Sequence, residues 1–243
     1  VKKRVELIQP NFFTFSPFYF FKLKIMIAEA TSYLETVQHL PKNGTLLLHD
    51  ISWDEYERIL DEFAENSAYR IYYNNGVLKI MSPRANHEYP KDLVTKLVTI
   101  YADEFNIPLD SYGSTTWRQA KKLKGAEADT SFYIKNAAKV RGVKDFDVNL
   151  TIPPEVVVEI DTSNESWDKF DIYAALNIEE IWRCDGTDFQ IYRLVEGKYE
   201  AVEKSVSLPL ISGELLTEFL QISYEKDQTS MLKEFRERLR EIK

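Results

Sequence analysis

The chain is poor in several features that would mark out large classes of protein. It holds one cysteine, Cys184, in 243 residues. An internal disulfide framework is therefore excluded, and the chain fits a reducing, cytoplasmic compartment. Positive charge is also short. Lysine and arginine number 31 against 39 aspartates and glutamates, a formal net charge of -8. A field of that sign repels nucleic acid, so a nucleic-acid substrate would need a local basic patch or bound cations. Long apolar runs are missing. The aromatic stretch from Phe12 to Phe21 is interrupted by Pro17 and is shorter than the roughly 20 apolar residues that cross a bilayer. No membrane segment is expected. The basic-then-apolar order of that stretch is also that of a signal peptide. Its bulky aromatic character and the methionine at position 26 favour an extension outside the fold, residues 1–25. The chain has no glycine-rich nucleotide loop, no serine elbow and no Cys/His metal spacing. Repeats and low-complexity tracts are absent too.

What is present suffices for a core: 44% of residues are apolar and 13% aromatic. The expected organisation is one domain over 26–223, followed by a C-terminal amphipathic helix over 224–243. Residues 52–66 read as a helix capped by Ser52 with Glu55 three positions on. Asn74-Asn75-Gly76 between two apolar runs predicts a hairpin. A long helix follows, with Leu93, Leu97, Ile100 and Tyr101 on one stripe, widened by Val94, Val98 and Phe105. Two strand-like runs, "YGSTTWRQA" and "GAEADTSFYI", precede a polar connection over 135–149 and the strand "PPEVVVEID". A helix of about a dozen residues begins near Ser166. Three strands with turns at Asp185-Gly186 and Glu196-Gly197 come next, then two amphipathic helices. A strand-helix-strand unit among hairpins predicts an α/β (α+β) layer with a mixed sheet.

The chemistry concentrates at the end of "PPEVVVEID". Alternation puts Glu159 and Asp161 on one face at the C-terminal end of their strand, where open α/β sheets place ligands. Asp129, with Glu127 on its face, lies in "EADTSFYI". If these strands are neighbours, the carboxylates converge. Two unit charges about 4 Å apart repel by ~4 kcal/mol at an effective dielectric of about 20. A divalent cation or a lysine would remove that cost, and oxygen ligands suit Mg²⁺ or Mn²⁺. Lys169 is placed for this. It shares a stripe with Ile172, Tyr173 and Leu176, so it should face the sheet, against both burial and the helix dipole.

Plainer explanations stand beside each of these. Glu159 could be a strand-end charge paired with an arginine. Asp161 lies in "DTSN", which is good turn chemistry. Asp129 could be structural, and Lys169 a solvated residue between Asp168 and Asp171. His87 could touch a phosphate or the acidic cluster, with a cap or surface role as the plainer alternative, and Glu88 is a weaker candidate. Trp182 and Cys184 read as core.

With these motifs in view, the chain resembles the Uma2 family, also called DUF820, which is abundant in cyanobacteria. The resemblance covers roughly residues 45 to 220. It rests on "NNGVLKIMSPRANHEYPKDLV", "GSTTWRQA", "GAEADTSFYI", "PPEVVVEIDTSNESWDKFDIYAALNIEEIWRCDG" and "FQIYRL". It implies a restriction-endonuclease-like PD-(D/E)XK fold: a mixed sheet flanked by helices, with an N-terminal helix and hairpin. By resemblance the acidic motif falls on Asp129, where Glu-Ala-Asp replaces the usual Glu-Pro-Asp, and the next acidic residue on Glu159. The signature's lysine position holds Asp161, and Lys169 on the following helix stands where the family has a lysine. His87 lies where the family often has histidine.

The expected activity is metal-dependent hydrolysis of DNA phosphodiesters. Asp129, Glu159 and the carbonyl of Ile160 would bind Mg²⁺ or Mn²⁺, and Lys169 would stabilise developing charge. Asp161 would complete the metal shell or act as a base. Arg118, Lys121, Lys122, Lys124, Lys139, Arg141 and Lys144 could meet a DNA backbone or simply keep exposed hairpin tips soluble. Two alternatives stay open. One is a catalytically inactive member of the fold that binds nucleic acid or protein. The other is a metal-dependent hydrolase of a small phosphorylated or nucleotide substrate. A homodimer is compatible with the fold.

Overall fold

Leu78 and Ile80 are buried, while Val77, Lys79 and Met81 between and beside them are half-buried. That alternation is what a strand shows when one face enters a core. The structure is a computed structural model, and it describes residues 5–8, 33–38, 40, 44–64, 69–81, 88–143, 152–161 and 167–242. The chain divides into two units, Val1–Arg84 with Ala120–Ala126, and Ala85–Gln119 with Glu127–Lys243.

The first unit contains β1 (Val5–Ile8), α1 (Tyr33–Gln38), β2 (Thr45–Leu48), α2 (Trp53–Phe63), β3 (Arg70–Asn74), β4 (Val77–Met81) and the first half of β7 (Lys124–Ala128). Its strands pair antiparallel in the order β1-β2-β4-β3-β7. Part of the stretch expected to lie outside the fold is thus a strand: Val5 pairs with Leu48 and Ile8 with Thr45. The edge of β2 presents unsatisfied backbone groups, and a neighbouring extended segment satisfies them. Residues 9–25 lie outside the described residues. Ser52 caps α2 as expected, its hydroxyl accepting from the Glu55 N–H at 3.3 Å. Asn75 and Gly76 both take positive φ, 48° and 86°, the conformation that lets a two-residue turn follow the twist of its strands. Tyr56 stacks on Tyr73 with ring centroids 4.6 Å apart.

The second unit contains α3 (Glu88–Phe105), β5 (Asp110–Tyr112), β6 (Thr115–Gln119), β8 (Thr130–Tyr133), α4 (Ala137–Val140), β9 (Val156–Ile160), α5 (Trp167–Ala175), β10 (Glu180–Cys184), β11 (Phe189–Val195), β12 (Lys198–Val202), α6 (Gly213–Glu225) and α7 (Gln228–Glu241). Its sheet runs β12-β11-β10-β9-β8-β5. β9 and β10 are parallel, and the other neighbours are antiparallel. The sheet is therefore mixed, and its one parallel pair is joined through α5, as a parallel connection requires. Within the segment expected to be a polar connection, Ala137–Val140 forms the short α4.

One face of this sheet carries the main core. Phe132, Val156, Val158, Ile160, Trp182, Cys184 and Ile191 pack there with apolar residues of α3, α6 and α7. Met231, Phe235 and Leu239 of α7 lie four residues apart and are all buried, so the C-terminal helix contributes to this core. α5 lies on the opposite face, with Phe170 meeting Tyr192 and Tyr199 edge to face. Covered on both faces, β9 is buried at all five positions, which explains its near-continuous apolar sequence.

Candidate active site

β9 positions the site. Val156, Val158 and Ile160 turn toward the main core, so Val157 and Glu159 turn toward α5. Glu159 is 1% exposed at the end of its strand. A carboxylate in that setting needs partners, and α5 provides them. The Lys169 ammonium donates to Glu159 Oε2, and the Tyr173 hydroxyl donates to Glu159 Oε1. Lys169 also donates to the carbonyl of Glu127 at 3.4 Å. Lys169 and Tyr173 are four apart on one helix face, which lets both reach a single carboxylate.

Asp129 arrives from the neighbouring strand. It occupies a bend between β7 and β8, so it is not part of a continuous strand with Glu127, and Glu127 enters the site through its carbonyl. The Asp129 N–H donates to Val158 O at 3.2 Å. Its Oδ2 accepts from the Ile160 N–H at 2.8 Å. Thr130 is registered against Val158, so Asp129 and Glu159 lie at the same end of adjacent antiparallel strands. Burial pushes the Glu159 carboxyl up to about 7 from its ordinary 4.5. Lys169 pulls the other way, and the charge of Asp129 pushes it up further.

Asp161 follows β9 and is also buried. Its N–H donates to Cys184 O at 2.6 Å, and its Oδ2 accepts from Arg183 Nε at 3.2 Å and pairs with Arg183 Nη2 at 3.2 Å. Arg183 is the register partner of Glu159 on β10. Four residues named from the sequence, Asp129, Glu159, Asp161 and Lys169, thus meet at one corner of one sheet, together with the backbone of Ile160. His87 lies outside the described residues. Glu88 is exposed in the first turn of α3, with Lys91 3.4 Å away.

Sequence reasoning missed two members of this corner. Tyr173 lies on the Lys169 stripe, where its position signals packing and not the hydroxyl that reaches Glu159. Arg183 sits between the core residues Trp182 and Cys184, and no sequence signal registers it beside Glu159. Burial alone does not mark the site. Glu155 and Glu180 are buried as well, yet both are taken up by neutral donors. Glu155 accepts from the N–H groups of Ile134 and Asn136, and Glu180 from Ser207 N–H and Trp182 Nε1. What separates Glu159 is a buried ammonium and a second carboxylate.

The basic residues divide between the units. Lys124 donates to Asn74 in the first. In the second, Lys139 donates to Asn136 at 2.9 Å and Arg141 pairs with Asp110 at 3.7 Å. Arg118 and Lys122 are half-buried and Lys121 is exposed. Lys144 lies outside the described residues.

Among the described residues no three or more His, Cys, Asp or Glu side chains are grouped as a metal site. Asp129 and Glu159 bring two carboxylates to this corner, one held by the Ile160 N–H and the other by Lys169 and Tyr173. These hard oxygens fit Mg²⁺, which takes one or two carboxylates and fills its remaining positions with water and substrate phosphate.

Residues 53–225 match the model of the Uma2 family, described as "Putative restriction endonuclease". The chain belongs to the Uma2 family. The matched segment runs from α2 to the end of α6 and contains every residue of the corner described above. β1, α1, β2 and α7 of this Uma2 chain fall outside it. The sheet of the second unit is mixed and flanked by helices, as the resemblance implied. Among solved structures, a protein from Anabaena variabilis described as "a putative nuclease belonging to DUF820" is similar at 16% identity and a TM-score of 0.45. The similarity covers 66% of this chain and 98% of that one. No curated protein matches. Among the described residues, no helix of this Uma2 chain is long and apolar enough to cross a membrane.

Proposed function

We propose that this Uma2 protein hydrolyses phosphodiester bonds in DNA with the help of Mg²⁺ or Mn²⁺. The observation that carries the reading is the buried meeting of Lys169 with Glu159 beside Asp129. Asp129, Glu159 and the Ile160 carbonyl would hold the ion. Once bound, the ion would polarise a phosphoryl oxygen and lower the pKa of a water. The chain's own groups do the rest. The Ile160 N–H holds Asp129 Oδ2 and the Tyr173 hydroxyl holds Glu159 Oε1, which orients both carboxylates. Lys169 donates to a phosphoryl oxygen as negative charge builds there. Asp161 could complete the ion's shell or accept a proton, or it could fix the Arg183 guanidinium. Its ion pair with Arg183 favours the last.

A metal-free binding module is the second reading. It is favoured by the engagement of both Glu159 oxygens by Lys169 and Tyr173 and by aspartate at position 161. The test is cleavage of plasmid and of single-stranded DNA with Mg²⁺ or Mn²⁺, comparing wild type with Lys169→Ala and Glu159→Gln. Cleavage by wild type that both variants lose supports the nuclease. Equal activity in wild type and Lys169→Ala removes the lysine from the mechanism. No cleavage by any of them, with no Mn²⁺ binding that depends on Glu159, moves the assignment to the binding module.

A further inference from the structure

Two tyrosines form an exposed aromatic stack on the second unit. Tyr89 in the first turn of α3 and Tyr224 in the last turn of α6 have ring centroids 5.8 Å apart and planes 27° from parallel. Tyr224 is 58% exposed and Tyr89 39%. The Tyr89 hydroxyl donates to Ser223 O at 3.0 Å, which ties the two helix ends together and fixes the pair. The pair leaves aromatic surface open to a partner.

Two strings of contacts connect this stack to the carboxylate corner. On the α3 side, Lys91 donates to Ser114 Oγ at 3.2 Å, and Ser114 Oγ donates to the Asp129 carbonyl at 3.5 Å. On the α6 side, burial raises the Tyr224 phenol, and Cys184 lies near enough to add to that shift. Cys184 in turn accepts the Asp161 N–H. The helix ends that carry the rings therefore stand at the same edge of the sheet as Asp129 and Asp161.

We propose that Tyr224, backed by Tyr89, is a stacking platform for an unpaired nucleobase of a single-stranded nucleic acid lying across the carboxylate corner. This rests on the phosphodiesterase reading and adds a substrate class to it. Only an unpaired base has a free face to offer, because bases within a duplex are covered by their neighbours. Stacking also suits the charge of the chain. At a net charge of -8, and with Lys139, Arg141, Lys226, Arg236, Arg238 and Arg240 engaged by side chains of the protein itself, a grip through phosphates is weak. Stacking draws on ring area and tolerates any base.

The test measures binding of a labelled oligothymidylate and of a blunt duplex to the full chain in Ca²⁺, for wild type, Tyr224→Ala and Tyr224→Phe. Cleavage in Mg²⁺ or Mn²⁺ and thermal midpoints are read separately. Tyr224→Ala should bind the single strand roughly tenfold more weakly, with duplex binding and thermal midpoint unchanged. Tyr224→Phe should match wild type. The platform is overturned if Tyr224→Ala binds the single strand as wild type does, if Tyr224→Phe is as weak as alanine, if duplex binding falls equally, or if wild type does not bind the single strand. Cleavage with no dependence on Tyr224 would sink the platform and leave the nuclease standing. Tyr224-dependent binding without cleavage would do the reverse.

Discussion

Lys169 and Glu159 form an ion pair in which the two side chains are only 7% and 2% exposed. Enclosure of this kind makes each charge depend on the other, because either one alone would sit in apolar surroundings without compensation. Lys169→Met should therefore destabilise the protein by about 3–5 kcal/mol, read as a lower urea midpoint at constant slope. Adding Glu159→Gln to that variant should recover part of the loss. A double variant as unstable as the sum of the single ones would show that the charges do not depend on each other.

The Tyr173 hydroxyl is a donor to a charged acceptor, and such bonds contribute about 1.5–3 kcal/mol. Tyr173→Phe keeps the ring and removes the donor. Its thermal midpoint should fall, and DNA cleavage should drop by less than in Lys169→Ala. A phenylalanine variant that melts with wild type would mean the hydroxyl is dispensable.

The raised Glu159 carboxyl makes stability depend on pH in a definite direction. Its folded value of about 7 lies above its ordinary 4.5, so between these values the folded state binds more protons than the unfolded state. In chelator, the contribution of this group is fully present below about 4.5 and is lost as pH rises through about 7. Glu159→Gln should flatten the stability profile across that window, and urea titrations at stepped pH measure it. A variant profile that still falls through the window would assign the slope to another group.

Asp161 and Arg183 form the second buried ion pair of the corner, with side chains 4% and 9% exposed. A double-mutant cycle with Asp161→Asn and Arg183→Met should give a coupling of about 1–3 kcal/mol. Additive losses would mean that the aspartate does not hold the guanidinium.

Much of this corner could be read from the amino-acid order. Three valines followed by Glu159 implied a buried strand that ends in charge. The Lys169 stripe implied a cation facing that strand. The Asn75-Gly76 turn and the Ser52 cap were local signals, settled within a few residues by backbone sterics and by unsatisfied N–H groups. Such features need no knowledge of distant parts of the chain.

The pairings between strands were not local. That β8 lies antiparallel to β9, which brings Asp129 level with Glu159, is set by how whole strands cover each other's apolar faces. That β10 lies parallel to β9 at the register opposing Arg183 to Glu159 has the same origin, and so has the meeting of Tyr89 with Tyr224 across 135 positions of sequence. The order of residues determined which side chains were available and which face of its own element each would take. Only the tertiary structure decided which faces met, because burial rewards total area and is indifferent to separation along the chain.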